Sequence, residues 1–124
     1  VGKPSDKMKF VYETVLTAQL AALDAVKAGM SGKALDKIAR DIITEAGYGD
    51  NFGHSLGHGV GVEIHESPYS SPSREDILPE NSIVTVEPGI YLEGKFGVRI
   101  EDFVVVTENG CINMTKASKE LICL

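Results

Sequence analysis

Gly57-His58-Gly59-Val60-Gly61-Val62-Glu63-Ile64-His65-Glu66, followed by Thr85-Val86-Glu87-Pro88-Gly89 and Val98-Arg99-Ile100-Glu101-Asp102, decides how this chain is read. An imidazole and two carboxylates sit inside otherwise apolar segments with strand-like patterning. An ionised glutamate in such a segment carries a large desolvation cost unless a cation or hydrogen bonds receive it. A Gly-flanked histidine with two such glutamates fits the ligand set of a hard or borderline divalent metal. The expected ligands are His58, Glu87 and Glu101.

Around these segments the period changes. Ser5 or Asp6 can cap a helix after Pro4, in which Met8, Val11, Val15, Ala18, Ala22 and Val26 recur at helical steps up to a left-handed Gly29. A second helix is expected from Ser31 to Gly47, with Leu35, Ile38, Ala39, Ile42 and Ala46 inward. Lys33, Asp36, Lys37, Arg40 and Asp41 form its predicted wet side. Both helices read as scaffold. Beyond Gly49 the glycines argue against helix, and Val60 to Ile64 alternates as a strand. Pro68 to Pro79 reads as an exposed loop, Ile83 to Leu92 and Val98 to Thr107 as the main strands. Glu108-Asn109-Gly110 signals a turn into a last strand around Cys111 to Met114. Two helices followed by a mostly antiparallel sheet is an α+β arrangement.

With 124 residues the chain has room for one compact domain, residues 1–124, and an apolar share of 43% is ordinary. A net charge of −6 argues against nucleic acid and anionic membranes as partners, and no apolar run is long enough to span a bilayer. Two cysteines, one beside the C-terminus, make no disulfide framework, so a cytoplasmic setting is expected. The opening Val1-Gly2-Lys3-Pro4 is neither a signal peptide nor an initiator methionine, and suggests a piece of a longer protein.

All three histidines, His54, His58 and His65, fall within twelve residues. His54 and His58 have the spacing of a helical zinc pair, but glycines exclude the helix and no Glu follows His54. Alternation places Arg99, Glu101, Phe103 and Val105 on one strand face, so Arg99 and Glu101 could also be a plain ion pair. That alternative leaves Glu87 unexplained.

The order Gly-His-Gly-x-Gly…His-Glu-x-Pro, Thr-x-Glu-Pro-Gly-x-Tyr and Gly-Val-Arg-x-Glu-Asp resembles the pita-bread metallopeptidases, and within them the Xaa-Pro dipeptidase (prolidase) and Xaa-Pro aminopeptidase branch. Methionine aminopeptidases share the first elements but usually lack the Gly-x-Tyr and Val-Arg-x-Glu-Asp parts. The resemblance covers nearly the whole chain. It implies a site with two metal ions, Mn, Co or Zn, to which His58, Glu87 and the bridging Glu101 contribute. His54 and His65 would contact substrate, Glu87 would shuttle a proton, and Tyr91 and Arg99 would orient ligands. In the family two further Asp ligands lie just before the segment matching Val1 to Ser5. The chain is thus expected to be the C-terminal half of a pita-bread catalytic domain, binding metal weakly or not at all and inactive alone. Its parent would be an exopeptidase cleaving proline-containing peptides before proline. A non-catalytic protein-binding module of this fold and a creatinase-like hydrolase are the competing readings. Both fit less well, because every ligand expected in this span is present. Exposure of the Met8 to Val26 strip and of a sheet edge would drive formation of a homodimer.

Overall fold

The computed structural model describes residues 2–124. Helix α1 (Asp6–Ala25) begins where the Ser5 hydroxyl accepts the Met8 amide, and α2 (Gly32–Glu45) begins likewise with Ser31 accepting from Ala34. Each cap satisfies one of the amides that a helix start leaves unpaired. Helix α1 stops at Ala25, earlier than its apolar periodicity suggests. Gly29 does adopt a left-handed φ of 79°, but in the connection to α2 rather than as the helix cap. Gly47, φ 88°, turns the chain out of α2.

Five antiparallel strands follow, β1 (Gly57–Gly59), β2 (Glu66–Ser70), β3 (Ile83–Val86), β6 (Asp102–Thr107) and β7 (Gly110–Asn113), in the order β2-β1-β3-β6-β7. A separate two-stranded ribbon pairs β4 (Gly89–Leu92) with β5 (Phe96–Arg99). The two long strands read from sequence are therefore four. The chain leaves the sheet after Val86 and rejoins it at Asp102, which pair with one another. Glu87 stands at the departure and Glu101 at the return.

The sheet is two-faced because strand side chains alternate. Val84 and Val86 of β3 and Val104 and Val106 of β6 point into the core, against Val11, Val15, Ala18 and Ala22 of α1 and Leu35, Ala39 and Ile43 of α2. Gln19, wholly buried in α1, donates to the Val86 carbonyl at 3.4 Å and ties helix to sheet. The intervening residues, Thr85, Phe103 and Val105, take the opposite face, as does the side chain of His58 from neighbouring β1.

Several expectations need correction. Val60 to Ile64 is not a strand but a bend, with Val62 at 105% and Ile64 at 74% exposure. Its apolar alternation has no partner strand and no core beneath it. Within the expected 68–79 loop, Pro68 to Ser70 belong to β2 and Leu78 is fully buried. In α2 the inward stripe is rotated: Ile43 is fully buried, Ile38, Ile42 and Ala46 only half-buried, and Asp36 is inside rather than wet. The α1 strip expected to lie bare is mostly covered by the chain's own core. Met8, Phe10 and Leu20 are the large apolar residues that α1 leaves exposed.

Candidate functional site

His58 is placed by backbone close packing. A Cβ at Gly57 would collide with the Thr85 carbonyl and one at Gly59 with the Ser67 carbonyl, so β1 can thread between β2 and β3 only with glycine on either side of the histidine. These glycines serve strand packing. The His58 amide donates to the Thr85 hydroxyl oxygen at 3.0 Å, and the Thr85 hydroxyl donates to Glu87 Oε1 at 2.9 Å. Thr85 therefore sets both the strand and the carboxylate. Period-two spacing from Glu87 was the signal that could have revealed it, and it was missed. The Glu87 amide donates to the Leu56 carbonyl at 2.8 Å, which fixes the backbone at the departure from the sheet.

The His58 ring donates its Nδ1–H to the Gly59 carbonyl at 2.9 Å, leaving Nε2 3.1 Å from Glu87 Oε1. With the proton on Nδ1, a lone pair faces a carboxylate oxygen, an arrangement that requires a proton or cation between the two atoms. His65 stacks edge-on, its ring centroid 4.4 Å from that of His58, although the bend that carries it is exposed. Arg99 lies between the carboxylates, its Nε 3.8 Å from Glu87 Oε2 and 3.7 Å from Glu101 Oε2. Its guanidinium holds its proton above the ordinary arginine range, chiefly through Tyr91 and then through Glu87 and Glu101, with burial opposing. The alternative of a plain Arg99–Glu101 ion pair is thus incomplete, since Arg99 reaches Glu87 as well.

His54 stands deeper. Its Nδ1–H donates to the Ser55 carbonyl at 2.8 Å, and its Nε2 is buried without a hydrogen-bond partner among the described residues. Its ring packs edge-on against Phe52 at 5.1 Å and Tyr91 at 5.5 Å. Tyr91 therefore touches His54 and influences Arg99, rather than touching a carboxylate.

Two adjoining clefts contain these groups. One, of about 300 Å³, runs along His54, His58, His65 and Tyr69; the other, of about 290 Å³, extends towards Glu101 and Phe103. His58, His65, Glu87 and Arg99 line both. A larger cavity of about 440 Å³ lies between α1 and Lys119–Leu121, lined mostly by apolar groups and by none of the candidate residues.

Among the described residues, no group of three or more His, Cys, Asp or Glu side chains is placed to hold a metal ion. Glu101 reaches Glu87 only by way of Arg99. The donor chemistry nevertheless fits a divalent cation: an imidazole with Nδ1 committed to a carbonyl, and a carboxylate fixed by a hydroxyl. The face-to-face His58 and Glu87 atoms are the part of the site that such an ion would satisfy.

Comparison with known proteins agrees with this chemistry. The model of metallopeptidase family M24 matches residues 1–108. A Xaa-Pro dipeptidase of Pyrococcus furiosus is 55% identical over 122 residues, which are 98% of this chain and 35% of that protein. A Xaa-Pro dipeptidase of Lactobacillus delbrueckii is 51% identical over 97% of this chain and 33% of its own length. The solved structure of an X-Pro aminopeptidase from Thermotoga maritima superposes with a TM-score of 0.95 at 53% identity, covering 100% of this chain and 35% of that one. A Xaa-Pro dipeptidase from Bacillus anthracis gives 0.97 at 52% identity, with the same coverage of 100% and 35%. The chain thus spans about a third of the length of the curated relatives it matches.

Proposed function

The chain belongs to metallopeptidase family M24, and on that premise we propose that residues 1–124 form the C-terminal part of a catalytic domain in a metal-dependent exopeptidase that hydrolyses the peptide bond before proline. The observation that carries this reading is the His58 Nε2–Glu87 Oε1 contact at 3.1 Å on the open face of the sheet. It is supported by similarity of about half the residues to Xaa-Pro dipeptidases over almost the whole chain.

In this proposal His58, Glu87 and Glu101 contribute metal ligands, and the remaining ligands of a two-ion site come from chain beyond residues 1–124. Mn, Co or Zn would serve, and these residues alone hold an ion weakly. A bound divalent ion supplies Lewis acidity, polarising the scissile carbonyl and making water acidic enough to lose a proton. Glu87, steadied by Thr85, takes a proton from the attacking water and returns it to the departing proline nitrogen. His54 and His65 line the cleft on either side of His58 and contact the substrate there. Arg99, lying between Glu87 and Glu101, orients the two carboxylates, and Tyr91 supports the site through its contact with His54.

A homodimer is part of the proposal. Its support is the unpaired outer edge of β7, where Ile112 and the following Met114 are exposed. No helix among the described residues is long and apolar enough to cross a membrane. The free thiols of Cys111 and Cys123 fit the reducing cytoplasm proposed as its location.

The test is a substrate panel on the complete metal-loaded protein: Xaa-Pro dipeptides, longer peptides with proline second, and Xaa-Ala controls. Cleavage confined to bonds before proline is expected. Absence of cleavage with Mn, Co and Zn alike overturns the reading.

A further inference from the structure

Asp36 and Arg40 lie four residues apart on α2, a spacing that puts them side by side on the helix. Asp36 is 1% exposed, where a carboxylate without partners would be strongly destabilising. Arg40 meets it with two nitrogens, Nε to Oδ2 at 2.7 Å and Nη2 to Oδ1 at 3.0 Å. The bidentate fork is the strong form of this pair.

The remaining contacts leave the helix and all go to one segment. Arg40 Nη1 donates to the Phe52 carbonyl at 2.8 Å and Nη2 to the His54 carbonyl at 2.8 Å. Asp36 Oδ1 accepts the Leu56 amide at 3.0 Å. Three alternate residues are thus gripped by one ion pair, with His54 in the middle. The guanidinium also covers the Phe52 ring at 4.1 Å, and the Phe52 ring in turn abuts the His54 ring at 5.1 Å. Arg40 therefore constrains His54 twice, through its own carbonyl and through the aromatic ring beside it. A pair that merely stapled α2 to the sheet would need neither contact.

The consequence falls on the imidazole. With its backbone held, the ring donates Nδ1–H to the Ser55 carbonyl at 2.8 Å, so Nε2 is left as an acceptor. That atom has no partner among the described residues, and His54 lines the cleft of about 300 Å³. We propose that Asp36 and Arg40 are a positioning pair that fixes the His54 ring in one tautomer at the wall of the cleft, its buried Nε2 held as the acceptor. Only the expected effect on turnover rests on the peptidase reading of the cleft; the geometry of His54 does not.

The experiment uses the complete protein with ¹⁵N-labelled histidine, comparing wild type with Arg40→Lys and Arg40→Gln. Lysine keeps the charge beside Asp36 but its compact ammonium cannot span both carbonyls in the planar fork. Wild type should show His54 as a single Nδ1–H tautomer. Both variants should show mixed tautomers at His54 while His58 keeps its signals. Turnover of an Xaa-Pro substrate should fall about tenfold in kcat with little change in KM, as expected for a group displaced by a fraction of an ångström. The double variant His54→Ala/Arg40→Lys should be no slower than His54→Ala alone. If Arg40→Gln does not fold, Arg40→Lys decides. An unchanged His54 tautomer in folded Arg40→Lys, or additive losses in the double variant, overturns the proposal. Altered His54 signals with no Xaa-Pro turnover in any protein, wild type included, would uphold the positioning pair and sink the peptidase reading instead.

Discussion

The two walls of the cleft are built on opposite terms. The His54 wall is bolted to α2 by three charge-assisted hydrogen bonds of Asp36 and Arg40, with the rings of Phe52 and Tyr91 packed edge-on against the imidazole. The His65 wall is a bend in which Val62 and Ile64 face solvent, tethered by the Tyr69 hydroxyl donating to the His65 carbonyl at 3.2 Å and by Glu66 accepting the Glu63 amide. One wall supplies a fixed acceptor. The other brings its ring to 4.4 Å from His58 on a bend whose residues 61–65 are exposed. What separates the two walls is hydrogen bonding to α2, not proximity to the site.

The sharpest way to break this contrast is Asp36→Ala. It leaves Arg40 half-buried without its partner and the Leu56 amide unpaired, and should cost about 3 kcal/mol of stability. Chemical denaturation measures it, and a loss no larger than that of a surface substitution would make the two walls equivalent. Amide exchange should separate them next: Leu56, bonded to Asp36, should exchange orders of magnitude more slowly than Val62 in the bend. Comparable rates would remove the distinction. On the pliable side, Ile64→Ser should change stability by no more than about 0.5 kcal/mol, since no packing is lost at an exposed position. A large loss by thermal melting would show that the bend is packed after all.

A smaller effect extends the contrast to the thiols. Burial pushes the Cys111 thiol up, with Asp24 and Asp102 adding to the shift, whereas Cys123 lies exposed in the terminal segment. A raised value means less thiolate at a given pH, so alkylation of Cys111 should trail that of Cys123 and gain speed only at more alkaline pH. Equal rates near neutrality would show that the sheet around β7 opens as readily as the chain end.

What the sequence disclosed and what it hid follow the same line. The helices were legible because their caps and stripes are local: a hydroxyl at Ser5 or Ser31 needs only the next turn. His58 and Glu87 are legible together because charged residues within apolar segments demand a joint explanation, and the fold brings those two of the three expected ligands to 3.1 Å. Glu101 lies between β5 and β6 rather than within one long strand, so its distance from Glu87 depends on how the ribbon rejoins the sheet, which no period reveals. The alternation at Val60 to Ile64 misled because a strand exists only when another strand is there to pair with it. Asp36 was read as wet because a carboxylate on a helix usually is. The fourth residue on, Arg40, carried the warning, yet a spacing of four names a partner without saying that both are inside.

Val86 and Asp102 sit opposite one another in the sheet, and everything between Glu87 and Glu101 is a detour out of it and back. Hairpin pairing holds the two carboxylates at the foot of the detour, while its tip at Glu93-Gly94-Lys95 meets solvent. Length and composition at that tip can therefore vary over generations without altering the span between the glutamates. Such an arrangement separates what must stay constant from what can be rewritten, and makes the tip a natural place to insert a reporter or to evolve a new preference.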